Sequence, residues 1–105
     1  MGVVDKTWHE VLKKAGFNGP IAESLIGFIS WEEDKIYPRL GHEMNDVLNN
    51  YEGKLVAHDV HSSKYHHQGI LFLNKRLPEE ISNKILDAIL DYEYDEVYNL
   101  KQPLY

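Results

Sequence analysis

The chain of 105 residues has the length of one small globular domain, with 43% hydrophobic and 11% aromatic residues. Because it contains no cysteine, disulfide scaffolds, thiolate zinc sites and cysteine nucleophiles are excluded. We therefore expect a single domain over residues 1–105. The first residues lack the features of a signal peptide, and no apolar run approaches the roughly 18 residues of a membrane span. We expect a cytoplasmic protein without a membrane partner.

The formal net charge of −6 is concentrated in the last quarter of the chain. Residues 79–105 contain seven acidic and two basic side chains, whereas residues 1–78 contain ten acidic and nine basic ones. Such a surface repels nucleic-acid phosphate and attracts basic proteins, so direct nucleic-acid binding is not expected. The plain alternative is that the charge only maintains solubility.

Helical spacing of the apolar residues predicts three helices in the N-terminal half. The first begins at Asp5 or Thr7 and ends at Ala15. The second occupies residues 20–37, and its apolar residues cover so much of the circumference that we expect it to be the central, most buried element. The third has its apolar stripe at Leu40, Met44, Val47, Leu48 and Tyr51.

After the third helix the apolar period changes to that of strands. Residues 55–60 and 69–73 are typical of two antiparallel strands that flank a turn at residues 62–64. Pro78 then opens a C-terminal helix, whose buried stripe should be Ile81, Ile85, Ala88, Ile89 and Tyr92. The predicted fold class is α+β in the order α-α-α-β-β-α, a helical bundle with a two-stranded antiparallel hairpin and a C-terminal helix.

This order of elements resembles that of a winged helix, with the hairpin as the wing. In that arrangement the third helix would enter the major groove of DNA. Residues 42–52 contain three carboxylates and no Lys or Arg, which opposes contact with phosphate. A winged-helix regulator is therefore the third functional hypothesis.

Four of the six histidines lie within residues 58–67. Strand alternation puts Asp59 and His61 on one face. A two-residue turn would set His61 opposite His66, and a three-residue turn would set it opposite His67. Two imidazoles and a carboxylate can form the three-ligand site that catalytic zinc and non-haem iron use.

The second functional hypothesis is therefore a small metal-dependent protein, for example a hydrolase, that uses zinc or iron at this hairpin. Solvated histidines at a polar turn are the plain alternative, and a pH-sensing role is another, because opposed imidazoles repel once both are charged. Outside this hypothesis no cofactor is expected.

Tyrosines and carboxylates alternate near the C-terminus. Tyrosine supplies contact area at low entropic cost, and carboxylates steer basic partners, so this composition suits a protein-binding surface. Its predicted members are Asp91, Tyr92, Glu93, Tyr94, Asp95, Glu96 and Tyr98. The plain alternative is a final helix whose tyrosines pack on the core and whose charges face water.

The leading functional hypothesis is a small acidic protein-binding module that inhibits or regulates a basic protein, for example one that handles nucleic acid. The chain has no nucleophile motif such as Gly-x-Ser-x-Gly, so an enzyme is the less favoured reading. Formation of a homo-oligomer stays open.

Overall fold

The computed structural model describes residues 6–32, 39–40 and 53–94. Within these ranges the chain forms three helices and a four-stranded sheet, in the order α-α-β-β-β-β-α. No helix in these ranges is long and apolar enough to cross a membrane. The elements are α1 Lys6–Lys14, α2 Gly19–Ala22, β1 Leu25–Glu32, β2 Arg39–Leu40, β3 Val56–Ser62, β4 His67–Leu73 and α3 Glu79–Glu93.

The sheet is antiparallel throughout, with the strand order β2-β1-β4-β3. Three strands are long, whereas β2 contributes only two residues, which pair with Ile29 and Ser30 of β1. Strands β1 and β4 are therefore the central pair, and β3 forms an edge.

One face of the sheet packs against the helices. Phe28 of β1, Val60 of β3 and Leu71 of β4 lie on this face, and each is at most 1% exposed. They belong to one cluster with Leu12 of α1 and Ile89 of α3, which are fully buried. Burial of each such side chain contributes roughly 1.5–3 kcal/mol, so this cluster is the main source of stability in the described part of the chain.

The prediction of a central helix over residues 20–37 is wrong. Among the described residues of this range, the helical part is Gly19–Ala22, and Leu25–Glu32 forms strand β1. A short run that is apolar on both faces fits a buried strand as well as a buried helix. The β-branched and aromatic side chains in this run favour the strand, and they are Ile26, Phe28, Ile29 and Trp31.

The predicted order α-α-α-β-β-α is wrong for the same reason, and so is the winged-helix alternative. The two predicted hairpin strands do exist and do pair, but they are part of a larger sheet that includes β1. Leu40, assigned by its spacing to the third helix, belongs to β2. The rest of that predicted helix, residues 41–52, lies outside the described residues.

The first and last predicted helices are confirmed. Helix α1 covers Lys6–Lys14, and Gly16 follows it with a φ of 108°, a left-handed conformation that glycine adopts without strain. Helix α3 begins directly after Pro78. Of the five residues in its predicted buried stripe, Ile85, Ala88 and Ile89 are buried, and Ile81 and Tyr92 are half-buried.

The central strands β1 and β4 approach each other closely at Gly69. A Cβ atom at this position would lie 2.7 Å from the backbone oxygen of Ile29. Because real Cβ atoms do not approach so closely, only glycine fits here without a shift of the backbone. This contact fixes β1 against the hairpin and therefore fixes Glu32, at the end of β1, opposite His67.

Candidate functional site at the hairpin turn and the end of helix α3

The register of the hairpin differs from both predicted registers. The turn between β3 and β4 has four residues, 63–66, and His66 adopts a φ of 57° in it. His61 consequently lies opposite Gln68, and Ser62 lies opposite His67. The hydroxyl oxygen of Ser62 accepts a hydrogen bond from the backbone N–H of Tyr65 at 3.2 Å, which supports the turn from inside.

This register separates the predicted metal ligands. Asp59 and His61 are exposed on the sheet face opposite the helices, His66 is exposed in the turn, and His67 is buried on the helix-covered face. Among the described residues, no group of three or more His, Cys, Asp or Glu side chains is placed to hold a metal ion. The three-ligand arrangement expected from the sequence is therefore not assembled on these strands.

Two side chains, one from β3 and one from α3, contact backbone groups of the histidine-rich strand β3 instead. The ring Nδ1 of His58 lies 2.9 Å from the carbonyl oxygen of Asp59, in hydrogen-bonding distance. The backbone N–H of His61 donates to Oδ1 of Asn83 on α3 at 3.0 Å. Side chains that engage backbone groups of an edge strand hinder pairing with another chain, so this part of the hairpin has a structural role.

Asp91 of α3 ties the hairpin turn to the helix. Its Oδ1 accepts a hydrogen bond from the hydroxyl of Tyr65 and another from Nζ of Lys64, the latter at 2.8 Å. Both donors come from the turn, and within the described residues no donor is placed on Oδ2. The side chains of Asp91 and Lys64 are 43% and 58% exposed, so the ion pair lies at the surface.

The pKa values of these three groups follow from their contacts. Burial raises the pKa of Asp91, but the hydrogen bonds from Lys64 and Tyr65 outweigh burial and hold the pKa below its ordinary value. Burial, followed by the hydrogen bond to Asp91, raises the pKa of Tyr65. The hydrogen bond to Asp91 raises the pKa of Lys64. At neutral pH the carboxylate is therefore ionised and both donors keep their protons.

Ring stacking makes a second link between the turn and the helix. The rings of Tyr65 and Tyr94 lie 4.7 Å apart with an angle of 10° between their planes. Nζ of Lys64 lies 5.3 Å from the centroid of the Tyr65 ring, within the range of a cation–π contact. Tyr65 is thus held on its edge by Asp91 and on its face by Tyr94.

Beneath this stack lies His67, the first residue of β4, with only 3% of its side chain exposed. Its Nε2 lies 3.4 Å from the hydroxyl of Tyr94 and 3.9 Å from Oε2 of Glu32. The rings of His67 and Tyr94 meet edge to face. The end of α3 therefore contacts both the turn and the first residue of the central strand β4. We call Lys64, Tyr65, His67, Asp91 and Tyr94 the turn–helix junction.

The predicted partner-binding residues fall into four groups. Asp91 and Tyr94 belong to the turn–helix junction. Tyr92 packs instead against Trp8 of α1, with 5.4 Å between the ring centroids, so its ring is part of the helix packing. Glu93 ends α3 and is half-buried. The remaining predicted members, Asp95, Glu96 and Tyr98, lie outside the described residues.

Sequence reasoning did not identify Lys64 and Tyr65 as members of this site. Lys64 is predicted only as a turn residue and Tyr65 is given no role. The contacts of Lys64 and Tyr65 to Asp91 join positions that are 27 and 26 residues apart in the chain. No local spacing in the sequence indicates such a pair. The side chains themselves were a weak signal, because a tyrosine beside a lysine in a hairpin turn is suited to reach an acidic helix end.

Comparisons with protein-family models, with curated proteins and with solved structures give no match to this chain. The assignment of a function therefore depends on the chemistry of its own residues.

Proposed function

We propose that this protein is a protein-binding module and that a partner with a basic surface docks at the turn–helix junction. In this role it would inhibit or regulate that partner. The observation that supports the proposal is the attachment of the hairpin turn to the end of α3 through Asp91 and Tyr94. The attachment gathers aromatic and charged side chains at one place on the surface.

A surface that is already ordered binds with a smaller entropic cost than a flexible one. Tyr65 is restrained by its hydrogen bond to Asp91 and by its stack on Tyr94. The carboxylate of Asp91 is oriented by the same hydrogen bond and is still partly exposed, at 43%. Tyr65, which would supply contact area, and Asp91, which would attract a basic partner, are thus held in place before a partner arrives.

The charge distribution supports a basic partner. Seven acidic and two basic residues lie in the part of the chain that contains α3 and everything after it. Carboxylates at a docking surface raise the rate of encounter with a positively charged protein, and salt reduces this effect. The half-buried rings of Tyr65 and Tyr94 would then supply contact area once the two proteins meet.

Site-specific photo-crosslinking tests this proposal. The photoreactive residue is placed at Ser63, which is exposed in the turn, or at Lys75, which is exposed beyond the opposite end of β4. We expect one protein of the host cell to crosslink at position 63 and not at position 75. The same protein, once purified, should associate with the unmodified chain more slowly as salt increases.

Three outcomes would contradict the proposal. These are the absence of any crosslinked protein at position 63, equal crosslinking at both positions, and association of the purified partner that does not respond to salt.

A further inference from the structure

We propose that Lys64 is an internal competitor of the partner, because it occupies the carboxylate of Asp91 to which an arginine of the partner binds. This inference rests on the proposed docking at the turn–helix junction and specifies which chemical group of the partner binds there. In the free protein Nζ of Lys64 lies 2.8 Å from Oδ1 of Asp91. In the complex the guanidinium group of an arginine replaces this ammonium group.

The Lys64–Asp91 contact is suited to exchange. Its two side chains are 58% and 43% exposed, and exposed ion pairs contribute little to stability because water and salt screen them and both side chains lose freedom. A cation from another protein therefore meets only a small barrier to displacing Lys64. The exchange leaves the number of ion pairs on Asp91 unchanged.

Asp91 keeps its orientation when Lys64 leaves, because Tyr65 holds the carboxylate independently. The hydroxyl of Tyr65 donates to Oδ1, and the ring of Tyr65 is itself fixed on Tyr94. A guanidinium group presents parallel N–H donors that match the two oxygens of a carboxylate, whereas an ammonium group binds as a point charge. An arginine can therefore use Oδ2 as well as Oδ1, which Lys64 does not.

The chain contains a matched ion pair that lacks this support. Nζ of Lys13 lies 2.9 Å from Oε2 of Glu23, and the side chains are 43% and 57% exposed. The length and exposure of this pair are close to those of Lys64–Asp91. Within the described residues, however, the side-chain donor to the Glu23 carboxylate is Lys13 itself, and no tyrosine holds this carboxylate as Tyr65 holds Asp91. Removal of Lys13 changes the net charge of the protein as much as removal of Lys64 does.

The test uses a fluorescently labelled oligoarginine peptide and measures its dissociation constant by anisotropy. Lys64→Gln should tighten binding by about two- to fivefold, the range that an exposed ion pair allows, whereas Lys13→Gln should have a smaller effect. Lys64→Arg should weaken binding, because arginine in this position holds Asp91 more firmly. Adding Asp91→Asn to Lys64→Gln should remove the gain.

Equal tightening in Lys64→Gln and Lys13→Gln would overturn the inference, because net charge alone would then explain both. An unchanged dissociation constant in Lys64→Gln, or a gain that survives Asp91→Asn, would overturn it as well. Crosslinking at position 63 does not depend on Lys64. A positive crosslink together with a negative peptide result would therefore reject the competitor role and leave the proposed docking surface in place.

Discussion

The rings of Tyr65 and Tyr94 stack 4.7 Å apart and nearly parallel, and this contact joins the hairpin turn to the residue that caps the C-terminus of α3. Stacked and offset aromatic pairs contribute about 0.5–1.5 kcal/mol beyond the burial of their area. The hydroxyl of Tyr65 adds a hydrogen bond to Asp91. The stack and the hydrogen bond can be separated by substitution.

Tyr65→Phe keeps the stack and removes the hydrogen bond to Asp91. We expect the free energy of unfolding to fall by about 1–2 kcal/mol, because a hydrogen bond to a charged acceptor is lost from a half-buried place. Tyr92→Phe is the control, because the Tyr92 ring packs on Trp8 and its hydroxyl has no hydrogen-bond partner within the described residues. Its effect should stay within about 0.5 kcal/mol. Urea unfolding measures both, and equal losses would show that the Tyr65 hydrogen bond does not stabilise the protein.

The lowered pKa of Asp91 predicts a contribution to stability that depends on pH. Because the pKa in the folded state is below its ordinary value of 3.8, this contribution is fully present at neutral pH. It is lost as the pH falls below about 4 and through the pKa of the folded state. The difference in unfolding free energy between the wild type and Asp91→Asn should therefore be constant from neutral to mildly acidic pH and shrink below this range. If the difference in unfolding free energy already disappeared near pH 6, the ionisation of Asp91 would not be its source.

Because β1 is a strand, its neighbouring residues Phe28 and Ile29 lie on opposite faces of the sheet and should differ in their contribution to stability. A fully buried helix would bury both. Phe28 is 1% exposed on the helix-covered face, whereas Ile29 is half-buried on the opposite face. Phe28→Ala should cost about 3–5 kcal/mol and Ile29→Ala should cost clearly less. Leu25 lies on the same face as Phe28 and is 1% exposed. Leu25→Ala should lower the free energy of unfolding by about 2–5 kcal/mol. Chemical denaturation gives all three values, and an Ile29 loss as large as that of Phe28 would contradict the orientation of β1.

Elements with a clear period and clear end signals could be predicted from the sequence. Helix α1 has its apolar stripe and Gly16 after it, α3 has Pro78 before it, and β3 alternates between buried and exposed residues. Strand β1 could not be predicted in this way. A run of apolar residues that is too short and too continuous to show a period fits both a helix and a central strand, and tertiary packing decides between them.

The candidate site could be predicted only in part, for a related physical reason. The alternation of acidic and aromatic residues in that segment predicts Asp91 and Tyr94 as members. Neither of the two predicted registers is right, because both assume a turn of two or three residues and the turn has four. With a turn of four residues, His67 lies on the buried face and Tyr65 packs against the end of α3.

The corrected register changes the expectation for zinc. With His61 opposite Gln68 and His67 buried on the other face, His61→Ala should leave the affinity of the protein for zinc unchanged. Isothermal titration of protein purified without an affinity tag measures this. A site with one zinc per chain that disappears in His61→Ala would show that the histidines of the hairpin do cooperate, and it would revive the metal-dependent hypothesis.

The central claim is that a basic partner docks at the turn–helix junction, and the association rate of the crosslinked partner tests it most directly. Asp95→Lys with Glu96→Lys reverses two charges that follow Tyr94 directly in the chain, and Glu79→Lys with Glu80→Lys reverses two exposed charges in the first turn of α3. Both pairs change the net charge equally, and neither alters Asp91. We predict that the first pair slows association at low salt by about tenfold or more, through lost steering, and that the second pair has a much smaller effect. Equal slowing by the two pairs, or slower association with the Glu79 and Glu80 pair, would contradict docking at the turn–helix junction.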